Sequence, residues 1–331
     1  MNLCNYILYT RVNFILKLRM AGDEMVNITM LGTGGNVPSP NRFCSSAFLN
    51  YKGRKILIDC GEGTQISMKK VGCGFKGIDL ILITHLHGDH INGLIGLLST
   101  MGNSEKRTPL TIVGPRGIKR AIKAMLVLIE GIPYPLNIIE NPSGAFSIND
   151  GQFKEIEIST IKLEHSTECI GYSLYFKRNR KFSPQNAIEN NVPKYLWKNL
   201  QLGQTFYIDD NAYTPDMVLG EERKGIKFSY ITDTRPINTI PDFIKESDLF
   251  ICEAMYGDDL DIAKAVKNKH MTFRESASLA KLGKVKHLLL THFSPSVDNP
   301  SYFIENARSV FKNTTIAHDG IKIDLSYSAE D

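Results

Sequence analysis

The sequence predicts an α/β fold built from packed layers of strands and helices. Short apolar runs of four to nine residues, rich in Ile and Leu, recur along the 331-residue chain. Runs of this length and composition are typical of buried strands. Stretches with helical spacing of apolar residues lie between several of them, and strands that alternate with helices indicate a layered α/β architecture.

Seven of the apolar runs are predicted as strands, and each leads into a residue with distinctive chemistry or geometry. The runs cover residues 26–31, 55–58, 80–84, 155–163, 228–232, 249–252 and 288–291. The residues that follow them are Gly32, Asp59, His85, His165, Asp233, Glu253 and His292. Because α/β proteins commonly place their chemistry at strand ends, this recurrence favours one shared site.

Three helices are predicted between these strands, over residues 88–99, 118–129 and 272–282. Residues 118–129 carry apolar side chains at helical spacing and basic side chains opposite them. The third helix opens on Thr272, and Glu275 stands three residues later, which is the pattern of a capping box.

Composition and charge exclude several classes of protein. A hydrophobic fraction of 42% with a net charge of only +4 excludes a disordered chain, and that charge is too small to indicate nucleic-acid binding by itself. No apolar stretch reaches the ~18 residues of a membrane span. The six cysteines are widely spaced and form no Cys-x-x-Cys pair, so we expect free thiols in a reducing cytosol.

Residues 1–25 precede the first convincing strand. Arg11, Lys17 and Arg19 interrupt the apolar residues of this segment, which fits a signal peptide poorly. We therefore expect residues 1–25 to be a dispensable extension and residues 26–331 to form the folded domain.

The strongest functional signal is the sequence HLHGDH at residues 85–90, directly after a predicted strand. Imidazole nitrogens and carboxylate oxygens are ligands of zinc. In an extended turn, His85 and His87 point to the same side and can share one ion, while the turn at Gly88 lets Asp89 and His90 face a second position. A single histidine after a strand is more often structural, but four ligand-type residues within six positions predict a metal site.

Two ions need further ligands, and the candidates at the other strand ends are His165, Asp233 and His292. Each has an ordinary alternative: Asp233 can cap a helix or form a turn, and His165 can be a hydrogen-bonded polar group. Their common position after apolar runs favours convergence on the 85–90 turn.

The HLHGDH turn, followed at long intervals by these three residues and preceded by Asp59 in LIDCGEGTQ, resembles the metallo-β-lactamase superfamily. Other segments narrow the resemblance to the ribonuclease Z family of transfer-RNA 3′-processing endonucleases. They are MLGTGGNVPSP, VPKYLWKNLQLG, YTPDMVLG, KFSYITDTRP, ICEAMYGDD, KHMTF and LLLTHFSP, and the resemblance spans about residues 26–325.

The resemblance implies a four-layer αβ/βα sandwich with two zinc ions at one edge of two facing sheets, although manganese or iron could occupy the same ligands. It assigns His85, His87 and His165 to one ion, Asp89, His90 and His292 to the other, and Asp233 to both. Asp59 is expected behind a ligand histidine rather than on the metal.

The same resemblance implies roles in catalysis for three residues. Asp89 would orient or deprotonate the attacking water, and His270, held by Glu253, would protonate the leaving oxygen. On the sequence alone, His270 is better explained as a surface histidine at a helix N-terminus.

Residues 177–204 interrupt the strand pattern with basic residues, two prolines and the only tryptophan of the chain. The resemblance implies that this segment is a short inserted arm that grips precursor transfer RNA, and that the protein is a homodimer in which one subunit's arm serves the other's site. The cytoplasmic location is expected from the cysteine pattern. The candidate RNA contacts are Lys177, Arg178, Arg180, Lys181, Lys194, Tyr195, Trp197 and Lys198. The alternative for Trp197 is packing onto the body of the protein.

The implied function is a zinc-dependent endoribonuclease that removes the 3′ trailer, leaving a 3′-hydroxyl on the transfer RNA and a 5′-phosphate on the trailer. One alternative is another hydrolase on the same scaffold, such as a cyclic-nucleotide phosphodiesterase or an arylsulfatase, which needs no RNA arm. The second alternative is a non-catalytic RNA-binding protein with a relic site. Such a protein would be expected to lack several metal ligands, whereas all seven are present here.

Overall fold

The computed structural model describes residues 15–17, 25–146, 148 and 153–327. In chain order its strands are β1 (Ile15–Lys17), β2 (Met25–Gly32), β3 (Ser46–Tyr51), β4 (Arg54–Ile58), β5 (Ile78–Leu82), β6 (Leu110–Gly114), β7 (Leu136–Glu140), β8 (Gly144–Phe146), β9 (Ile156–Leu163), β10 (Cys169–Arg178), β11 (Phe206–Ile208), β12 (Asn211–Tyr213), β13 (Arg223–Ile231), β14 (Leu249–Glu253), β15 (Leu288–Thr291), β16 (Thr314–Ile316) and β17 (Lys322–Ser326).

The helices are α1 (Thr64–Val71), α2 (Gly88–Ile91), α3 (Leu94–Asn103), α4 (Ile118–Leu128), α5 (Pro184–Glu189), α6 (Trp197–Gln201), α7 (Ile240–Phe243), α8 (Ile262–Asn268), α9 (Phe273–Leu282) and α10 (Ile304–Arg308). Short 3-10 turns cover Lys194–Leu196, Pro215–Met217, Asp259–Asp261 and Pro300–Phe303.

Two large sheets contain most of the strands. The first has the order β1-β17-β2-β3-β4-β5-β6-β7 and the second β16-β15-β14-β13-β10-β9-β8. Strands β4 to β7 run parallel to one another, and so do β13 to β16. The carboxyl ends of parallel neighbours share one edge of their sheet, so each sheet offers one edge for a site.

The core consists of three apolar clusters, one between the two sheets and one between each sheet and its helices. Side chains from both sheets, including Leu49, Tyr172 and Phe228, pack together between them. The outer face of the first sheet packs on α3 and α4, and that of the second on α7 and α9. The arrangement is helices, sheet, sheet, helices, which confirms the four-layer αβ/βα sandwich.

The predicted elements form with small differences. All seven predicted strands are present, and Thr272 and Glu275 form the expected capping box at the start of α9. The helix predicted over 88–99 is divided into α2 and α3 at Asn92 and Gly93. The chain is tightly packed there, since a side chain on Gly93 would lie 2.2 Å from the Gly61 carbonyl oxygen.

The arm is a small folded unit with its own core. The segment between β10 and β13 covers residues 179–222, so it continues past the predicted arm through the hairpin β11–β12. Its buried apolar residues are Ala187, Val192, Leu196, Leu200 and Val218. They form a cluster separate from those of the main sandwich.

Three sequence predictions concern parts of the chain that are only partly described. Residues 1–14 and 18–24 lie outside the described residues, and β1 pairs in parallel with β17 at the edge of the first sheet. That the extension is dispensable stays a prediction. The five described cysteines are free, whereas Cys4 lies outside the described residues. Among the described helices, none has the length and apolarity needed to cross a membrane.

Candidate metal centre

The HLHGDH turn emerges at the carboxyl end of β5, a strand buried in the first sheet. His85 and His87 belong to the extended stretch after the strand, and Asp89 and His90 belong to α2. The His90 carbonyl accepts the N–H of Cys60 at 2.8 Å, which ties the turn to the chain after β4. One anchored turn therefore presents four donor side chains.

Three further donors reach this turn from the second sheet. His165 and Asp233 stand two residues past the ends of β9 and β13, and His292 directly follows β15. Asp233 and His292 have positive φ angles of 51° and 60°. Such backbone is uncommon outside glycine, costs about 1–3 kcal/mol and clusters at functional sites. The chain is therefore bent sharply at both positions as it leaves the sheet.

The structure brings all seven predicted ligand residues into two clusters that share Asp233. One cluster contains His85, His87, His165 and Asp233; the other contains Asp89, His90, Asp233 and His292; in each, one ligand atom per residue lies within 4.8 Å of the others. Asp233 Oδ2 lies 3.2 Å from His85 Nε2, and its Oδ1 lies 3.0 Å from His292 Nε2. Asp233 is thus placed to contact an ion in either cluster.

The donor spacing fits divalent cations. His87 Nδ1 lies 3.2 Å from His165 Nε2, and His90 Nε2 lies 3.2 Å from His292 Nε2. Donors at about 2.0–2.1 Å from one tetrahedral zinc stand ~3.3 Å apart. The buried Nε2 of His85 lies 3.2 Å from Asp233 Oδ2 but makes no hydrogen bond of good geometry within the described part of the chain. Since an unsatisfied buried nitrogen is costly, a cation between these donors would account for it.

The protonation states of His165 and Asp89 suit metal binding. Burial lowers the pKa of His165 to about 4, which leaves this imidazole neutral at pH 7. Burial raises the pKa of Asp89, but hydrogen bonds with His292 and His90 more than offset this effect and hold the pKa below its usual range. Neutral imidazole and ionised carboxylate are the forms that bind a metal.

Asp59 and Thr84 lie directly behind the turn. Asp59 Oδ2 lies 2.8 Å from His90 Nδ1, and its Oδ1 accepts the N–H of Thr84 at 2.8 Å. Thr84 Oγ1 lies 3.1 Å from His85 Nδ1. Because these contacts engage the Nδ1 atoms of His85 and His90, they orient the Nε2 atoms of the two rings toward the clusters. Sequence analysis missed Thr84, whose only signal is its position directly before His85.

Glu253 and His270 form a pair beside the second cluster. The Glu253 side chain is fully buried at the end of β14, and its Oε2 lies 3.2 Å from His270 Nδ1. Glu253 also accepts the N–H groups of Thr234 at 2.6 Å and Met271 at 3.1 Å. The His270 ring stacks near that of His292, with centroids 5.6 Å apart. The pair therefore adjoins the clusters, as the resemblance implies.

The charge of Glu253 sets the protonation of its partner. Burial lowers the pKa of His270, but the Glu253 carboxylate more than offsets this effect and raises the pKa to about 9. Cations bound in the clusters would lower it again, because like charges repel. His270 is thus held by a carboxylate that stabilises its protonated form.

Arg235 is a residue of the site that sequence analysis missed. Its guanidinium donates to the His270 carbonyl oxygen and pairs with Glu275. Glu275 also accepts the N–H of Thr272 at 2.9 Å in the capping box of α9. Arg235 therefore links the segment that carries His270 to a helix end. Its position two residues after Asp233 was the available signal.

The clusters open into a cavity of about 770 Å³, whose walls include His270, Lys267 and Ser166. Gly35 lies so close that a side chain there would meet His292 Cε1 at 2.6 Å, and the next N–H, of Asn36, donates to Asp89 Oδ2 at 2.6 Å. The volume is in the range of sites that enclose part of a ligand, so a phosphodiester can reach the clusters.

The predicted RNA contacts differ in exposure, and two of them, Lys177 and Arg178, lie at the end of β10 and not in the arm, which begins two residues later than predicted. Tyr195 is 71% exposed, and Lys177, Lys181, Lys194 and Lys198 are also exposed, with Arg178 half-buried.

Two of the predicted contacts are anchored within the arm. Trp197 donates from Nε1 to the Val192 carbonyl at 2.9 Å and packs on Phe182, while Arg180 pairs with Asp216 at 2.5 Å. Both side chains contribute to the arm's own fold, and contact of any arm residue with RNA stays a prediction.

The four-layer fold and the paired His–Asp clusters define a metallohydrolase-type centre on a metallo-β-lactamase fold. A Bacillus subtilis structure described as a metallo-β-lactamase fold protein superimposes with a TM-score of 0.66 at 19% identity, covering 92% of this chain and 100% of that one. The sequence model of a family described as Anti-Pycsar protein Apyc1 matches residues 26–213, more than half of the chain, and so places the chain in that family.

Relatives that match nearly the whole chain identify a more particular family. Ribonuclease Z of Clostridioides difficile (strain 630) is 65% identical over 303 residues, which cover 92% of this chain and 99% of the relative. Ribonuclease Z of Alkaliphilus oremlandii (strain OhILAs) is 53% identical over 315 residues, with 92% and 99% covered. The crystal structure of human tRNase Z, short form, superimposes with a TM-score of 0.66 at 26% identity, covering 91% and 99%. The chain belongs to the ribonuclease Z family.

Proposed function

We propose that this chain removes the 3′ trailer from precursor tRNA by hydrolysing one phosphodiester bond with the help of two zinc ions. As a member of the ribonuclease Z family, it is a hydrolytic endoribonuclease that processes tRNA 3′ ends. The products would be a 3′-hydroxyl on the tRNA and a 5′-phosphate on the trailer. The observation that carries the proposal is the pair of clusters that share Asp233 beside the His270–Glu253 pair.

The donor sets divide between two cations. We assign His85, His87 and His165 to one, Asp89, His90 and His292 to the other, and Asp233 to both. When bound, such a pair of cations activates a water molecule and stabilises the negative charge that develops on the phosphate. Manganese or iron would suit the same nitrogen and oxygen donors.

Asp89 orients the attacking water in this mechanism. Its carboxylate faces His90 and His292 and is held in one orientation by the N–H of Asn36 at 2.6 Å. A carboxylate fixed at that place can accept a hydrogen bond or a proton from a water that approaches phosphorus. These contacts are all made by Oδ2, so Oδ1 is left to bind the attacking water.

His270 supplies the proton that the leaving oxygen needs. Attack on phosphorus breaks its bond to the 3′ oxygen of the tRNA, and that oxygen leaves more readily when it is protonated. Because Nδ1 of His270 faces Glu253, its Nε2 is left for the cavity that the ring lines. Glu253 stabilises the protonated ring before transfer, and Arg235 fixes the backbone that carries it.

RNA binding by the arm, a homodimer and a cytoplasmic location complete the proposal. Exposed Tyr195 between Lys194 and Lys198 offers a stacking surface with phosphate contacts on both sides. In a dimer, the arm of one subunit would hold the tRNA while the other subunit cuts it. Five free cysteines suit the reducing cytoplasm. Light scattering at several concentrations tests the dimer.

A cleavage assay on one precursor tRNA with both product ends mapped tests the proposed reaction. We expect a single cut that chelation abolishes and added zinc restores. His85→Ala should lose zinc and cleavage together, whereas His318→Ala, at an exposed histidine outside both clusters, should retain both. Full trailer removal by a metal-free enzyme would contradict the mechanism. Cleavage of small phosphodiesters alone would favour the alternative hydrolase.

A further inference from the structure

Four exposed cations form a row on α4 and the turn before it. Lys119, Arg120 and Lys123 are spaced so that they lie on one face of the helix, and Arg116 stands in the turn directly before it. The opposite face, which includes Ile118, is buried against the first sheet. We call these four residues the basic stripe. The Cβ atoms of residues three and four apart on a helix lie ~5–6 Å from one another, so the stripe is a closely spaced row of basic side chains.

The charge of the basic stripe is not neutralised by nearby carboxylates. In the part of the chain that the structure describes, none of its four side chains forms an ion pair. A cavity of about 460 Å³ beside the stripe is lined by Arg116, Gly117, Lys119, Arg120, Glu140 and Glu168.

Both carboxylates in that cavity have other partners. Glu140 accepts the N–H groups of Gly117 at 3.1 Å and Lys119 at 3.0 Å, and Glu168 lies 3.5 Å from Lys162 Nζ. The stripe therefore presents a net positive surface, although the net charge of the whole chain is only +4.

The stripe begins at the same edge of the sheet as the candidate metal centre. β5 and β6 are parallel neighbours; the HLHGDH turn follows β5, and the turn into α4 follows β6. A side chain built on Gly117 would lie 3.2 Å from Cδ1 of Leu86, the residue between His85 and His87. A strand of RNA that reaches the clusters can therefore continue along the stripe.

We propose that the basic stripe binds the RNA phosphate backbone next to the scissile bond, as a contact separate from the arm. The inference rests on the proposed function, because it needs RNA in the neighbouring cavity. Unpaired cations in a row attract a polyanion by releasing its condensed counterions, and this attraction weakens as salt is added. Contacts of this kind position the substrate without reading its sequence.

The test compares two triple variants of the full chain with equal net charge. The first is Lys119→Gln, Arg120→Gln and Lys123→Gln. The control is Lys245→Gln, Lys281→Gln and Lys312→Gln, whose lysines are exposed and precede β14, β15 and β16 at the edge opposite the metal centre. Cleavage of precursor tRNA is measured at several salt concentrations, together with cleavage of bis(p-nitrophenyl) phosphate.

We expect the stripe variant to raise KM for precursor tRNA about tenfold or more and to make the dependence of log affinity on log salt shallower by about two to three units. Its kcat at saturation and its activity on the small diester should match those of the control.

Equal KM and salt slope in both variants, with wild-type cleavage intact, would overturn the stripe assignment and leave the proposed function standing. Failure of the wild type to cut precursor tRNA would instead overturn the proposed function. Binding of the same proteins to anionic lipid vesicles is also measured. If the stripe variant loses this binding and keeps the KM of the control for precursor tRNA, the stripe belongs to a membrane surface and the inference is contradicted.

Discussion

At the scale of residues, the candidate centre depends on groups that hold the reactive side chains from behind. Asp59 lies behind His90, and Glu253 lies behind His270, each within hydrogen-bond reach of an Nδ1 atom. Such partners fix the ring orientation and the nitrogen that carries the proton. Substitutions of the holding residues and of the held rings should therefore have different consequences.

His270→Ala should lower cleavage of precursor tRNA roughly 10²–10⁴-fold, because the leaving oxygen loses its proton donor. Bis(p-nitrophenyl) phosphate has a leaving group that departs without protonation, so its hydrolysis should change little. Single-turnover rates on both substrates check the prediction, with zinc content as the control for the metal centre. Equal losses on both substrates would contradict the role of proton donor.

His287 should contribute a pH-dependent part of the stability. It is 4% exposed, and its Nδ1 lies 2.8 Å from Asn313 Oδ1. Burial lowers the pKa of His287 in the folded protein below its ordinary value of 6.5, so the unfolded chain binds the proton more tightly. The stabilisation is therefore complete above pH 6.5 and is lost as the pH falls from there toward the folded-state pKa.

Denaturant unfolding of the wild type and of His287→Gln, from pH 7.5 to pH 5, checks this expectation. The difference in free energy of unfolding between the two proteins should shrink as the pH falls. Other histidines titrate in both proteins, so their effect cancels in the difference. A difference that stays constant over this range would contradict the buried neutral state of His287.

At the scale of elements, the arm is a module that the sandwich can lose without losing its core. Its apolar cluster is separate from the three clusters of the sandwich, and the strands on either side of it pair directly. Arg178 at the end of β10 is opposite Arg223 at the start of β13. The two ends of the arm therefore meet at the end of an antiparallel strand pair.

Replacing residues 179–222 with Asn-Gly should give a folded protein that binds precursor tRNA poorly. Asn-Gly favours the tight turn that joins paired antiparallel strands. We expect KM for precursor tRNA to rise about tenfold or more, because the arm's phosphate and stacking contacts are lost, while hydrolysis of bis(p-nitrophenyl) phosphate is retained. Steady-state kinetics on both substrates check this, and an unchanged KM for the tRNA would contradict the role of the arm.

At the scale of the whole molecule, the metal centre joins the two halves of the sandwich. Four of the seven donors follow β5 in the first sheet, and the other three follow strands of the second sheet. Cations held by both groups would act as a clamp between the sheets. Binding to the folded state alone stabilises it by mass action, by about 2.7 kcal/mol when free metal is 100 times its dissociation constant.

Chelation should therefore lower the Tm of the wild type, and added zinc should restore it. Asp233→Ala removes the carboxylate shared by both clusters, so its Tm should respond far less to chelator and to zinc. Thermal unfolding of both proteins with zinc and with chelator gives the comparison, and His318→Ala is the matched control at an exposed position. Equal responses in wild type and Asp233→Ala would contradict a metal clamp at this place.

Local patterns in the sequence were sufficient for much of the fold. Most predicted strands are short apolar runs, the one over residues 155–163 has polar residues among its isoleucines, and the capping box of α9 depends on two residues three positions apart. No strand is predicted over the ten residues of β10, which contain Gly, Ser, Lys and Arg beside the apolar and aromatic residues. Its pairing with β9 and β13 gives these positions their strand conformation, and that pairing is a tertiary contact.

The sequence by itself determined the layered α/β class and the four donors of residues 85–90, because neighbours along a strand and a tight turn are held close by the covalent chain. Only the tertiary structure decided that His292 lies 3.3 Å from Asp89, a residue 203 positions away, and that Arg235 holds the segment of His270. It also decided that Trp197 packs against Phe182 within the arm. Contacts between distant residues follow from the register and packing of two sheets, which depend on the burial of the whole core and not on any local pattern.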